Sequence, residues 1–139
     1  MGNILMNIKT PYIIDLKSIG SVEIGFLNVA EFPTHVPFEI NRVYWTYSTP
    51  DNVERGSHAH KELEQFIVAV VGRIEFILES KEGEILNFIL DHPAKALYIP
   101  KGYWRTIRFA PDSVLLCLAS LKYDEDDYIR DYAQFKKNI

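Results

Sequence analysis

Two histidines one residue apart, His58 and His60 in the stretch "RGSHAHKELEQ", are the densest concentration of proton-transfer chemistry in the chain. In an extended strand their side chains share a face, roughly 6 to 7 Å apart along it, and Glu62 and Glu64 continue that face. Imidazoles exchange protons near neutral pH and also ligate metals, so the pattern fits a metal site, an acid/base pair or a solvated strand face. Arg55 and the apolar segments on either side favour the rim of a pocket. His35 and His92 stand near prolines in loop-like stretches and read as structural. Cys117, inside the apolar run "SVLLCLAS", reads as a small buried hydrophobe rather than a reactive thiol.

Positioning such side chains takes strands, and the sequence is rich in them. Segments heavy in Val, Ile, Phe and Tyr alternate with polar turns. "GSVEIGFLN", "FEINRVYWTYS", "EQFIVAVVGRIEFILES", "EILNFIL", "ALYIP", "WRTIRFA" and "SVLLCLASL" read as strands, with turns at "PDNVERG", "KEGE", "DHPAK", "PKG" and "APDS". Gly72 predicts a break of "FIVAVVGRIEFIL" into two hairpin strands. The tail changes character. Acidic residues open "DEDDYIRDYAQFKKN", Lys136 and Lys137 close it, and Ile129, Tyr132, Ala133 and Phe135 form an apolar stripe, which predicts a helical tail over about 124–137. Without an internal repeat or a linker, a single all-β domain over residues 1–139 is expected.

With 139 residues, 47% of them hydrophobic, the chain has material for one sizeable core. A net charge of -4 with dispersed lysines and arginines offers no basic field for nucleic acid. No apolar run approaches membrane-spanning length, and the first residues lack a secretory pattern. Gly2 does not open a myristoylation signal, because Met6 stands where Ser or Thr is needed. A single cysteine excludes an intrachain disulfide and fits a reducing compartment, so a soluble cytoplasmic protein is expected.

His58, His60 and, after three intervening residues, Glu64 resemble the first motif of the cupin superfamily, small jelly-roll β-barrels with a pocket in the barrel mouth. "IPKGYWRT" resembles the second motif through Pro100 and Gly102, but Arg105 stands where that motif has a metal-binding histidine. A guanidinium has no lone pair to donate and repels a cation, so no metal is expected. Most of the chain, through "FEINRVYW", "RGSHAHKELEQ", "ALYIPKGYWR" and "LASLKYDEDDYIRDYAQF", resembles the sugar 3,4-ketoisomerases, cupins of the WxcM-like group that act on dTDP-4-keto-6-deoxy-D-glucose. The resemblance implies an isomerase without metal or cofactor that binds a dTDP-linked keto-deoxysugar, and a homodimer with exchanged N-terminal strands.

Moving a ketone from C-4 to C-3 removes a proton from C-3, places one on C-4 and shifts the oxygen proton the other way through an enediol. His58 and His60 are the expected pair, with the carbon protons assigned to His60. Arg55 is expected to hold the diphosphate, and Arg105 the ketone or a hydroxyl. Arg42 and Tyr44 share a strand face and are expected to reach phosphate or sugar, although Arg42 also suits a structural ion pair. Trp45, Tyr98, Tyr103 and Trp104 suit core or interface positions, and Tyr98 and Trp104 are the candidates to stack on the base or close the sugar pocket. Glu62 and Glu64 either orient an imidazole or face solvent, and Gln65 falls on the opposite strand face and stays outside the set. Arg105 in place of a histidine resembles family members that retain the gluco configuration, whose 3-keto product an aminotransferase would convert to a 3-amino sugar. The alternatives are a dTDP-sugar epimerase, a metal-dependent cupin, and a non-catalytic sugar-binding cupin.

Overall fold

The computed structural model describes residues 10–137, which leaves the expected unprocessed start and Gly2 outside the described residues. The described strands are β1 (Tyr12–Asp15), β2 (Ser18–Ser21), β3 (Gly25–Asn28), β4 (Arg42–Thr46), β5 (Glu54–His60), β6 (Gln65–Val71), β7 (Ile74–Glu79), β8 (Ile85–Leu90), β9 (Lys95–Ile99), β10 (Trp104–Phe109), β11 (Val114–Ala119) and β12 (Tyr128–Ile129). A helix, α1 (Tyr132–Lys137), follows them. Two five-stranded antiparallel sheets form, one in the order β1-β9-β6-β11-β4 and the other β12-β5-β10-β7-β8, and β2 and β3 make a separate hairpin. The expected all-β jelly-roll class is borne out, as a two-sheet sandwich rather than a closed barrel.

Alternation along the strands builds the core. Ile67 and Ala69 of β6, Leu97 and Ile99 of β9, and Leu115 and Cys117 of β11 meet Phe76 and Leu78 of β7 between the sheets. The intervening Phe66, Val68, Ala96 and Tyr98 are buried on the outer face of the first sheet under Leu16, Val36 and Phe38. Burial on both faces is why β6 reads as an unbroken apolar run instead of an alternating one.

Three expectations about local structure are corrected. The stretch "GSVEIGFLN" is not one strand, because the chain turns at Val22, Glu23 and Ile24 and pairs β2 with β3. Gly72 does end β6, but β6 pairs with β9 and β11 whereas β7 pairs with β8 and β10, so the chain crosses between sheets there instead of closing a hairpin. The crossing is pinned by Ser113, whose Oγ accepts from Arg73 N and donates to Arg73 O, both at 3.0 Å. Gly72 has φ +86°, and a Cβ there would stand 2.3 Å from that Oγ. The helical tail, in turn, is helical only from Tyr132. Before it, Asp124 caps a 3-10 turn, Glu125–Asp127, and β12 pairs with β5 through Tyr128 opposite His60 and Ile129 opposite Ala59. Pairing with an open strand edge satisfies backbone groups that a longer helix would leave at β5, and it overrides the helical pattern. Asp131 then caps α1, accepting from Ala133 N at 2.9 Å, and Phe135 packs on Ala59, Ile129 and Trp104.

Candidate active site

A β-bulge aims the site. In the pairing of β5 with β10, Arg105 faces His58, Thr106 faces Gly56 and Ile107 faces Arg55, leaving Ser57 as the extra residue. Gly56 and Ser57 both have positive φ, 91° and 56°. The insertion shifts the alternation by one, so Arg55, three residues before His58, comes to the same inner face as the histidine. A Cβ on Gly56 would lie 2.8 Å from Arg105 O and 3.1 Å from Arg105 Cγ, so only glycine lets the Arg105 side chain lie over the bulge.

The inner face opens into a pocket of about 230 Å³ between the sheets, with Arg42, Tyr44, Arg55, His58, Arg105 and Tyr128 in its wall. Gln65 lines it as well. Arg105 is 1% exposed; it donates to the Gln65 side-chain oxygen and, at 3.1 Å, to Tyr103 O. Gln65 donates in turn to Tyr44 Oη at 2.7 Å. The Nε atoms of Arg42 and Arg105 are buried without a hydrogen-bond partner. Among the described residues Arg42, Arg55 and Arg105 form no ion pair with a carboxylate, so the pocket carries positive charge that the protein itself does not neutralise.

The histidines stack edge to face with centroids 4.8 Å apart, and the Tyr128 ring lies 5.0 Å from His58 and 4.5 Å from His60. His58 forms part of the pocket wall, whereas His60 is buried behind it. The Nδ1 of His58 is 3.0 Å from Gly56 O, an acceptor only, so Nδ1 carries the hydrogen and Nε2 keeps the lone pair. Burial pushes His58 down to about 4, with the Arg105 charge adding to the shift. Burial, then the charge of Arg105, also holds His60 well below the usual histidine range. Both are therefore neutral bases at neutral pH. Burial likewise keeps Tyr44 protonated, lowers Arg105 only to about 10 so that it stays charged, and raises the Cys117 thiol to about 11.

The remaining expected residues take other places. Strand β5 ends at His60, so Glu62 and Glu64 do not continue the histidine face. Glu62 pairs with Lys101 at the surface at 3.1 Å, and Glu64 lies on the outer face of the first sheet, accepting from Tyr98 Oη at 2.5 Å. The chain changes sheets between β5 and β6 and the alternation restarts, which turns Gln65 inward, contrary to expectation. The roles expected for Tyr98 and Trp104 are not met by their positions. Tyr98 faces away from the pocket between inward-facing Leu97 and Ile99, and Trp104, the neighbour of inward-facing Arg105, packs its ring 5.6 Å from Phe135 on the outside of the second sheet. Asp127 and Tyr128, missed in the sequence, lie in the tail that had been read as helix. Among the described residues no three His, Cys, Asp or Glu side chains converge to ligate an ion, and the nearest counterpart of a third imidazole is Arg105.

A jelly-roll sandwich whose inner face gathers two neutral imidazoles, unneutralised arginines and a hydrogen-bonded glutamine defines a cupin-type fold with a polar pocket between its sheets. A match to the family described as FdtA, WxcM-like, C-terminal covers residues 8–139, and the chain belongs to this family. It is 44% identical over 117 residues, 83% of each chain, to a TDP-4-oxo-6-deoxy-alpha-D-glucose-3,4-oxoisomerase of Aneurinibacillus thermoaerophilus. The WlaRB TDP-quinovose 3,4-ketoisomerase of Campylobacter jejuni superposes with a TM-score of 0.88 at 39% identity, covering 94% of this chain and all of that one. A His-to-Asn variant of the QdtA 3,4-ketoisomerase of Thermoanaerobacterium thermosaccharolyticum, in complex with TDP-4-keto-6-deoxyglucose, superposes with a TM-score of 0.88 at 32% identity over 94% of both chains. The ketoisomerase family expected from the four sequence motifs is thus borne out, and with it the assignment as an enzyme. Among the described residues no helix is long and apolar enough to cross a membrane.

Proposed function

We propose that the protein converts dTDP-4-keto-6-deoxy-D-glucose into dTDP-3-keto-6-deoxy-D-glucose by proton transfer between its own side chains and the sugar, without a metal or another cofactor. The observation that carries this reading is the pairing of His58 with Arg105 across β5 and β10, which sets a neutral imidazole beside a fixed cation. The unprotonated Nε2 of His58 takes the proton from C-3, which the C-4 carbonyl acidifies, and the electron pair moves into a C-3 to C-4 double bond. Arg105 stabilises the charge that develops on the C-4 oxygen. Transfer of the C-3 hydroxyl proton through His60 to that oxygen, and of the carbon proton from His58 to C-4, leaves the ketone at C-3. Since His58 lies in the pocket wall and His60 behind it, the carbon proton is assigned here to His58 and the oxygen protons to His60, the reverse of the order expected from sequence.

A pocket of about 230 Å³ is small for a whole sugar nucleotide, so we assign it to the keto sugar and place the diphosphate at its rim, where Arg55 is exposed and Arg42 is half-buried. The gluco product is favoured: one of the relatives is named for quinovose, the gluco-configured 6-deoxyhexose. The 3-ketone is the electrophile that an aminotransferase needs to make a 3-amino-3,6-dideoxy sugar. A homodimer with exchanged N-terminal strands is supported by the β2–β3 hairpin, which exposes Ile19, Val22, Ile24, Phe26 and Leu27 in one chain.

Incubation with dTDP-4-keto-6-deoxy-D-glucose in deuterated water, followed by NMR of the ring protons, tests the reading. A ketone that moves to C-3 with the C-4 hydrogen in the gluco configuration, whether the transferred proton or deuterium exchanged into protonated His58, supports it. Exchange at C-3 or C-5 with the ketone still at C-4 would replace it by an epimerase.

A further inference from the structure

The group nearest to the site without an assigned task is the carboxyl of Asp127. It sits in the 3-10 turn just before β12, is 8% exposed and accepts three hydrogen bonds. Oδ1 accepts from Glu62 N at 2.7 Å, while Oδ2 accepts from Leu63 N at 3.3 Å and lies 3.0 Å from His60 Nδ1. Its own backbone accepts from Lys61 N at 2.9 Å, so the turn closes over the end of β5 and anchors the residues just after His60. Two of the side-chain contacts are backbone N–H groups, which can only donate, so the group between them must accept on both oxygens. A carboxylate does this and a carboxamide does not.

We propose that Asp127 is a positioning residue for the isomerisation, holding His60 as the Nδ1–H tautomer so that Nε2 is kept free as the proton acceptor. The inference rests on the ketoisomerase reading given above. An imidazole that meets a carboxylate oxygen at Nδ1 must place its hydrogen there, and the lone pair then resides on the other nitrogen. His58 reaches the same tautomer by a different route, through the Gly56 carbonyl, so both imidazoles present the same kind of nitrogen. Tyr128 adds a steric restraint, with its ring 4.5 Å from His60 and its backbone paired opposite that residue. The ring has little room to rotate and exchange the two nitrogens.

Asparagine separates this role from a purely structural one. With its amide nitrogen in place of Oδ2, Asp127→Asn donates to Nδ1 and drives the hydrogen of His60 to Nε2. In the opposite orientation it sets two donors against each other at Glu62 N. The experiment uses the full chain with 15N-labelled histidine and reads the tautomers from long-range nitrogen–proton correlation spectra at neutral pH, with His60 assigned by its absence in His60→Asn. In the wild type His60 is expected as Nδ1–H. In Asp127→Asn it is expected as Nε2–H, with kcat on the keto sugar nucleotide about 10²-fold lower and KM within a few-fold of wild type. A wild-type His60 that is Nε2–H or doubly protonated overturns the proposal even if the variant does not fold. So does a folded Asp127→Asn that changes tautomer and keeps full kcat, or loses kcat with the tautomer unchanged. The tautomer is measured without turnover, so an inactive wild type on this substrate would instead overturn the ketoisomerase reading.

Discussion

Two neighbouring residues, Glu64 and Gln65, end up on opposite sides of one sheet, and their surroundings differ in kind. The inner side, reached by Gln65, combines a buried Arg105, unneutralised guanidiniums and two imidazoles depressed by burial. The outer side, reached by Glu64, joins its carboxylate to the Tyr98 hydroxyl among Phe66, Phe38 and Tyr12. Charge on the inner side is left for something else to neutralise, which suits a ligand. On the outer side the polar pair satisfies itself, which suits a structural seam. The contrast teaches that the glutamate of the cupin motif faces away from the pocket in this chain, whereas the glutamine beside it lines the pocket.

The sharpest way to break this contrast is to remove the inner base. His58→Asn is expected to lower kcat by about 10³-fold while leaving binding of TDP within a few-fold, measured by NMR turnover and calorimetry. The pH behaviour follows from the same residue. A base must be neutral, and His58 is neutral above about 4, so kcat/KM is expected to stay level from pH 8 to about 5 and to fall below that, instead of turning over near 6.5. Stability changes in the same window. The unfolded histidine takes a proton below about 6.5 and the folded one only near 4, so the unfolded chain binds more protons between these values and stability falls as pH falls through them. Urea denaturation at pH 7 and pH 5 should show the loss, and His58→Asn should reduce it.

Next comes the inner cation. Arg105 spans the Gln65 side chain and the Tyr103 carbonyl with two different nitrogens, a geometry that a lysine cannot reproduce. Arg105→Lys keeps the charge and is expected to lower kcat by about 10²-fold, with less effect on KM. The bulge beneath it is a smaller lever. Gly56→Ala places a methyl against Arg105 in left-handed backbone and is expected to destabilise the fold by about 1–3 kcal/mol in a denaturant titration, with kcat reduced along with it.

Much of this contrast could be read from the sequence, and the unread part has physical causes. Most strand positions, the jelly-roll class and the His58–His60–Arg105 group follow from apolar periodicity and from motifs that place Pro100 and Gly102 before Arg105, whereas β1 and the turn inside "GSVEIGFLN" do not. What could not be read was where alternation is reset. The bulge at Ser57 brings Arg55 to the histidine face, and the change of sheet after His60 turns Gln65 in and Glu64 out. Neither reset leaves a hydrophobic signature, although Gly56 before the pair was the available hint of irregular backbone. The tail was misread for a related reason. Asp127 and Tyr128 fit a helical pattern locally, and only pairing with β5 makes them part of the site.

The smallest effect on turnover is expected from the residue that the motif made most prominent. Glu64→Gln keeps an acceptor for Tyr98 Oη, which sits 2.5 Å from the carboxylate, and alters nothing in the pocket wall. Its kcat should stay within about twofold of wild type, because the Glu64 carboxylate, bonded to Tyr98 on the outer face, contacts neither the sugar pocket nor the side chains assigned to the reaction. Glu64→Leu removes the acceptor and leaves the Tyr98 hydroxyl buried, which should cost about 1–3 kcal/mol of stability, again with little change in kcat once the protein is folded. If either variant lost turnover as steeply as Arg105→Lys while remaining folded, the outer side would belong to the reaction after all, and the separation drawn between the two faces of the sheet would fail.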